Sequence, residues 1–217
     1  MTKSMGIIGY PLGHTLSPLF QQAALDDVGV DAEFSAWPTP PIELEAKVES
    51  FRDVNCLGSC VTLPHKQAVI PMLDDVSDVA TEIGAVNWIV NDNGKLTGHN
   101  TDAPGFLRAL CRELEFDPDG AEALVIGAGG AARAIVFGLR NAGVQRLTIA
   151  NRTLGTARNL AEDLRSGKFR ASAIELTKDA LSDVAPFSTL IVNTSSMGMS
   201  GGPAPDDSPV SSDLIST

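Results

Sequence analysis

The chain has 217 residues, 43% of them hydrophobic, enough apolar material for one large or two small cores. Its formal net charge of −11 argues against a nucleic-acid or membrane-surface role, since both call for basic patches. No apolar run reaches the roughly 18 residues needed to span a bilayer, no signal peptide precedes the first strand, and Cys56, Cys60 and Cys111 form neither a disulfide framework nor a zinc pattern, so a cytoplasmic chain without a metal site is expected. The excess of acid is greatest before Asp102, where five Lys/Arg face thirteen Asp/Glu, and a lysine buried there would stand out.

In chain order, Met5-Gly-Ile-Ile-Gly9 predicts a short strand, followed by Tyr10-Pro-Leu-Gly-His14-Thr15-Leu-Ser17-Pro18. Proline at a first helical position with Ser17 before it as N-cap predicts a helix from Leu19 to Val28. Capping alone would account for Ser17. Glu33 to Trp37 reads as a second strand, Pro38 to Pro41 as a turn, and Ile42 to Val54 as an amphipathic helix. Gly58 to Pro64 is a third strand broken by proline, after which His65-Lys66 begins another helix. Asn87 has a plain reading as a turn residue after Gly84-Ala-Val, and Asn100-Thr-Asp102-Ala-Pro104 looks like a helix start with Asp102 as its cap.

The stretch from Leu124 to Arg152 is read as strand, glycine turn, helix and strand. Leu124 to Ile126 is a β-branched apolar run, and Gly127, Ala128, Gly129, Gly130, Ala131 and Ala132 follow it in the G-x-G-x-x-A spacing of dinucleotide sites. Gly127 permits the tight turn, Gly129 lets backbone approach a pyrophosphate, and Ala132 lets the helix pack on the strand. The diphosphate would sit where unpaired N–H groups and the helix dipole favour negative charge. Ile135, Val136 and Leu139 keep helical spacing, Gly143 is a stop signal, and Leu147 to Ala150 is the second strand. At its end NAD sites usually carry an acid for the ribose 2′-OH, whereas a 2′-phosphate calls for arginine. Here stand Asn151, Arg152 and Thr153, with Arg158 beyond, so NADP is the cofactor read from the residues. Arg152 as a plain solvated loop residue is the alternative.

The order GYPLGHTLSP, VTLPHK, GAVN, HNTD, VIGAGGAAR and NRT resembles the shikimate dehydrogenase family, NADP-dependent enzymes that interconvert shikimate and 3-dehydroshikimate. The resemblance covers essentially the whole chain. It implies an α/β protein with a substrate-binding catalytic domain over residues 1–101 and a Rossmann-type, doubly wound NADP domain over 102–217. It implies a small-molecule substrate, a hydroxylated cyclohexene carboxylate, with no nucleic acid or membrane partner, in a monomer or homodimer. Lys66 and Asp102 match the family's catalytic pair. An ammonium can hydrogen-bond the reacting oxygen and relay its proton, and a carboxylate can orient that ammonium. Locally, Lys66 could equally be a solvated residue of a helix's first turn. Thr15 and Ser17 fall where two hydroxyls bind the substrate carboxylate, which lets an acidic domain hold an anion with neutral donors. Thr62 and Asn87 fall where ring hydroxyls are held. Thr194, in the Asn193-Thr-Ser-Ser-Met-Gly198 loop after an apolar strand over 189–192, falls where the family brings a loop against the cofactor; an ordinary loop residue is the alternative.

Several positions depart from the family's pattern. Thr15 replaces a usual serine, Cys60 an asparagine, Trp88 a threonine and Ala103 a glycine. These bear on the substrate more than on the reaction, and quinate or a related ring acid stays open. From Leu124 onward four strands are expected, near residues 124–126, 147–150, 171–174 and 189–192, where a full doubly wound domain has about six. The missing strands and C-terminal helices give the expectation of an incomplete dinucleotide domain, poorly stable and nearly inactive by itself. A non-catalytic ligand or nucleotide sensor on the same fold is the competing class. Retention of both Lys66 and Asp102 favours the enzyme.

Overall fold

The computed structural model describes residues 2–13, 15–167, 169–200 and 204–215. The chain forms two compact units, Met1–Thr101 and Asp102–Thr217.

In the first unit, strands β1 (Lys3–Gly9), β2 (Ala32–Pro38) and β3 (Cys56–Val61) form a parallel half-sheet with β1 in the middle. The run from Met5 to Gly9 is buried throughout, as expected for a strand covered on both faces. Beyond β3 the sheet continues as β5 (Trp88–Asp92), β6 (Lys95–His99) and β4 (Asp75–Val76), in the order β2-β1-β3-β5-β6-β4. β5 and β6 pair antiparallel around Asn93-Gly94, both at positive φ (53° and 93°), as a two-residue hairpin turn requires.

Helix α1 (Ser17–Asp27) buries none of its side chains and is held to β2 by Gln22, whose Nε2 donates to the Ala32 carbonyl at 3.1 Å while its Oε1 accepts from the Phe34 N–H at 2.8 Å. α2 (Leu44–Glu49) buries Leu44 and Val48, and α3 (Asp78–Ile83) buries Ala80 and Ile83 under a Ser77 cap. Ile8, Val48, Phe51, Val61, Val69, Ile89 and Leu96 form the main core of this unit.

Two expectations fail here. The single helix over 42–54 is instead a 3-10 turn (Pro41–Glu43), α2 and a second 3-10 turn (Ser50–Arg52). The Ser50 hydroxyl donates to the Lys47 carbonyl at 2.6 Å, and such side-chain bonds compete with the helical ladder. The helix expected from His65 does not form. Residues 64–69 run through turns into a short 3-10 stretch, Ile70–Met72. Pro71 leaves too few residues for a stable helix before it.

The second unit opens with α4 (Asp102–Arg112) and continues as β7 (Glu122–Ile126), α5 (Gly130–Asn141), β8 (Arg146–Asn151), α6 (Leu154–Asp163), β9 (Ser172–Glu175), α7 (Lys178–Ser182) and β10 (Leu190–Asn193). Its sheet is wholly parallel, in the order β10-β7-β8-β9. Leu124 and Ile126 of β7 and Ala150 of β8 pack with Leu181, Ala185, Val210 and Leu214 on one face. α5 buries Ala132, Ile135, Val136 and Leu139, so the small Ala132 does permit close packing. Arg133 of α5 joins α6 through Asp163 at 2.9 Å. Both sheets belong to the α/β class. Among the described residues no helix is long and apolar enough to cross a membrane, and no group of three His, Cys, Asp or Glu is placed to hold a metal.

Candidate active site

In the first unit Thr15 and Ser17 follow the end of β1, Thr62 follows the end of β3, and Asn87 precedes β5 beside that end. Parallel strands deliver the loops that follow them to one edge, where ligands of α/β proteins bind. The Thr62 N–H donates to the Ile8 carbonyl at 2.8 Å and the Tyr10 N–H to the Leu63 carbonyl at 2.9 Å, which ties the two loops together. Gly9 has no room for a side chain, because a Cβ there would meet the Thr62 methyl and Leu12.

Thr15 and Ser17 follow in the first of these loops, both half-buried. Ser17 is not the cap that its sequence suggested. It is the first residue of α1, and its N–H donates to the Thr15 hydroxyl oxygen at 3.3 Å. Among the described residues the Ser17 and Thr62 side-chain hydroxyls have no hydrogen-bond partner. Lys66 lies four residues beyond Thr62, and its carbonyl accepts from the Val86 N–H at 2.7 Å. Next to it the Asn87 carbonyl accepts from the Val61 N–H at 2.8 Å. Main-chain bonds thus join the segment holding Thr62 and Lys66 to the segment holding Asn87. The Asn87 side chain donates to the Thr101 hydroxyl at 2.9 Å and accepts from the Thr101 N–H at 2.8 Å. It is a bracing residue rather than a plain turn residue.

His65 was missed as a support. It is 1% exposed, and its Nε2 lies 2.7 Å from the carbonyl of buried Thr39, whose own N–H donates to the Gly9 carbonyl at 2.9 Å. Its position next to Lys66 in PHK was the available signal. Cys60 and Trp88 are register partners across β3 and β5, and both pack on the Met5, Ile7, Leu12 and Phe34 cluster. Lys47 lies over the Trp37 ring at 4.0 Å, and burial lowers its pKa.

In the second unit Asp102 is the first residue of α4 rather than its cap, an acid where the helix dipole favours one. The glycine turn leaves the end of β7 at the middle of the sheet. Gly127 is buried at φ +110°, and its N–H donates to the Ala150 carbonyl at 2.8 Å. A Cβ on Gly127 would lie 2.5 Å from the Thr194 hydroxyl oxygen. Thr194 is locked there, its N–H and hydroxyl both donating to the Ile126 carbonyl at 2.8 and 2.7 Å. Gly129 precedes α5 in an extended conformation, and a Cβ there would meet nothing within 4 Å.

Gly127, Ala128, Gly129, Gly130 and Ala131 thus run from a buried turn to an open helix start of twelve residues, with Thr194 against the turn. A pyrophosphate fits this arrangement, with space over Gly129 and the first N–H groups of α5 as donors. At the end of the neighbouring β8, the Asn151 amide donates to the Thr153 carbonyl at 3.0 Å. Arg152 and Thr153 are exposed, and Thr153 begins α6 without a side-chain capping bond. Arg158 is exposed on α6.

A family model described as the shikimate dehydrogenase substrate binding domain matches residues 7–89, and one described as shikimate / quinate 5-dehydrogenase matches residues 111–198. Shikimate dehydrogenase (NADP(+)) of Methanopyrus kandleri is 41% identical over 199 residues, 91% of this chain and 69% of the relative. The chain belongs to the shikimate dehydrogenase family. The Geobacillus kaustophilus member is also 41% identical, and 71% of its length is covered. Among solved shikimate dehydrogenases, the Thermus thermophilus enzyme in complex with NADP(H) and shikimate superposes with a TM-score of 0.83 at 37% identity, over 98% of this chain and 75% of that one. The Aquifex aeolicus enzyme gives 0.86 at 36%, over 99% and 75%. A 5-ketofructose reductase of Gluconobacter, 29% identical, gives 0.79 over 100% and 76%.

Proposed function

We propose that this chain carries out the NADP-linked interconversion of shikimate and 3-dehydroshikimate, with residues 1–101 binding the ring acid and residues 102–217 the dinucleotide. When bound, NADP supplies the acceptor or donor of the hydride. The oxidation removes a hydride from the carbon bearing the reacting hydroxyl and a proton from its oxygen; the chain's own residues handle that proton. Lys66 is the group for it, as a neutral amine accepting the hydroxyl proton, or as an ammonium returning it to the carbonyl oxygen in the reverse direction. Asp102 is the carboxylate of the catalytic pair.

Thr15 and Ser17 bind the carboxylate. They stand at the start of an eleven-residue helix, whose dipole favours an anion. Thr62 and Asn87 hold the ring hydroxyls. The observation that supports this most is that main-chain bonds join the Thr62–Lys66 segment to Val86-Asn87 at the end of β3, beside the Ser17 and Thr62 hydroxyls, which have no hydrogen-bond partner among the described residues. Gly127 to Ala131 and Thr194 seat the diphosphate, and Asn151, Arg152 and Thr153 the adenosine end with its 2′-phosphate.

The test is absorbance at the nicotinamide band with shikimate or quinate against NADP or NAD, for the wild type and Lys66→Ala. The expected result is NADP-dependent oxidation of shikimate, however slow, that falls at least about a hundredfold in Lys66→Ala, with the dissociation constant for NADP unchanged. Equal turnover in the two proteins would remove Lys66 from the chemistry.

A further inference from the structure

β8 and β9 are adjacent and parallel, with Asn151 opposite Glu175, so the segments following them leave the sheet at the same edge. The Leu176 N–H joins those segments by donating to the Asn151 carbonyl at 3.1 Å. One carries Arg152 and the other Lys178. Both residues line a single cavity of about 310 Å³ together with Leu176, Thr177, Ser211 and Leu214. Two cations thus converge in a chain that has 16 Lys/Arg against 27 Asp/Glu. Among the described residues Arg152 has no ion-pair partner. The Lys178 ammonium lies 3.5 Å from the Asp213 carboxylate, with the two side chains 73% and 59% exposed. Asp213 also accepts from the Ser211 hydroxyl, and these contacts, that of Ser211 first, hold its carboxyl below the usual range.

We propose that Lys178 is a second recognition cation for the 2′-phosphate of NADP, acting with Arg152 in this cavity, and that Asp213 holds the ammonium until the phosphate displaces it. The inference rests on the NADP reading above and adds to it a residue that the glycine motif and the Asn151-Arg152-Thr153 tip do not include. A phosphomonoester dianion offers three acceptor oxygens, which suits a planar guanidinium and a compact ammonium together. Leu176 and Leu214 offer apolar surface for the adenosine, and the hydroxyls of Thr177 and Ser211 add neutral donors. An exposed lysine–aspartate pair contributes little by itself, so exchanging the carboxylate for a phosphate costs little. NAD has no 2′-phosphate and leaves the Lys178–Asp213 pair as it is, which makes the exchange selective.

Titration calorimetry on the full chain with adenosine 2′,5′-bisphosphate and with NAD tests this. Lys178→Met is expected to weaken the bisphosphate about tenfold at low salt and to leave NAD unchanged. Asp213→Asn is expected to strengthen the bisphosphate severalfold. Unaltered NAD binding also reports that each variant is folded. Equal loss for both ligands, no loss for either, or a wild type that binds the bisphosphate no better than adenosine 5′-monophosphate would overturn the proposal, and an unchanged Asp213→Asn would remove Asp213 from it. Shikimate turnover is read separately. Absent turnover with discrimination for the 2′-phosphate intact sinks the dehydrogenase reading and leaves the two-cation site standing. Normal turnover with Lys178→Met indistinguishable from wild type does the reverse.

Discussion

Gly127 and Gly129 stand two residues apart in one turn, and the structure gives them opposite sensitivities. At Gly127 the backbone has φ +110°, outside the regions L residues favour, and an alanine there costs about 1–3 kcal/mol in backbone strain. Its Cβ would also lie 2.5 Å from the Thr194 hydroxyl oxygen and 3.2 Å from the Thr194 carbonyl carbon, so Thr194 must move. That movement sacrifices the 2.7 Å bond from the Thr194 hydroxyl to the Ile126 carbonyl, a further loss of about 1 kcal/mol. Gly127→Ala should therefore destabilise the second unit by about 2–4 kcal/mol, roughly 10 °C in melting temperature for a unit of this size.

Gly129 has an ordinary negative φ of −89° and open space around the site of a Cβ. Gly129→Ala should cost at most about 1 kcal/mol, yet weaken NADP about tenfold or more because the methyl stands where a phosphate would approach. Thermal melts by circular dichroism, with and without NADP, and fluorescence titration of the cofactor separate the two effects. A Gly127→Ala protein that melts with the wild type, or a Gly129→Ala protein that binds NADP equally well, would refute the reasoning.

Acid stability should depend on Asp74. Arg52 donates to its carboxylate at 2.5 Å and the Leu96 N–H at 2.7 Å, and these bonds, that of Arg52 first, lower its pKa. A carboxyl depressed in the folded state contributes stability above its unfolded pKa of about 4 and loses it as pH falls through the lower folded value. Urea unfolding midpoints from about pH 6 to about pH 3 should therefore drop more steeply for the wild type than for Asp74→Asn; parallel curves would contradict this. His65→Phe leaves the buried Thr39 carbonyl without its 2.7 Å partner and should destabilise by about 1–3 kcal/mol in chemical denaturation, whereas a neutral result would mean that the bond contributes nothing. Trp88→Thr removes a ring that packs on Met5, Ile7, Leu12 and Phe34, so a loss of about 2–3 kcal/mol is expected with little change in the ratio of shikimate to quinate turnover. A large change in that ratio with stability retained would make Trp88 a substrate residue instead.

The β7-α5-β8 segment was legible almost to its boundaries because its signals are local: an apolar run, small residues at fixed spacing, helical periodicity and a glycine stop. The four strands of the second sheet were legible for the same reason. The first unit was harder. Its β5-β6 hairpin went unread although Asn93-Gly94 is a turn signal with a mechanism, and the two-residue β4 is too short to carry a pattern. The helix expected at 42–54 yielded to a side-chain bond within the segment and the one from His65 to a nearby proline, and a single-sequence periodicity registers neither. Ser17 and Asp102 each lie one position further into their helices than a cap would, an error within the usual uncertainty of helix ends.

The failed helix at His65 bears directly on Lys66. A lysine in the first turn of a solvated helix needs no function, and that was the plain alternative for this residue. The structure has no such helix; the Lys66 carbonyl is taken by the Val86 N–H, one residue before Asn87. Of the other four cations before Asp102, three have structural partners: Arg52 joins Glu49 to Asp74, Lys95 pairs with Asp75 at 3.4 Å, and Lys47 covers Trp37. Lys3 lies exposed in the first strand. Lys66 is half-buried and is positioned through its main chain on a turn whose neighbouring His65 is locked to Thr39. A turn held from both sides, in an acidic unit with few cations, fixes where that amine begins, and a proton-relay group needs such positioning more than it needs any particular secondary structure.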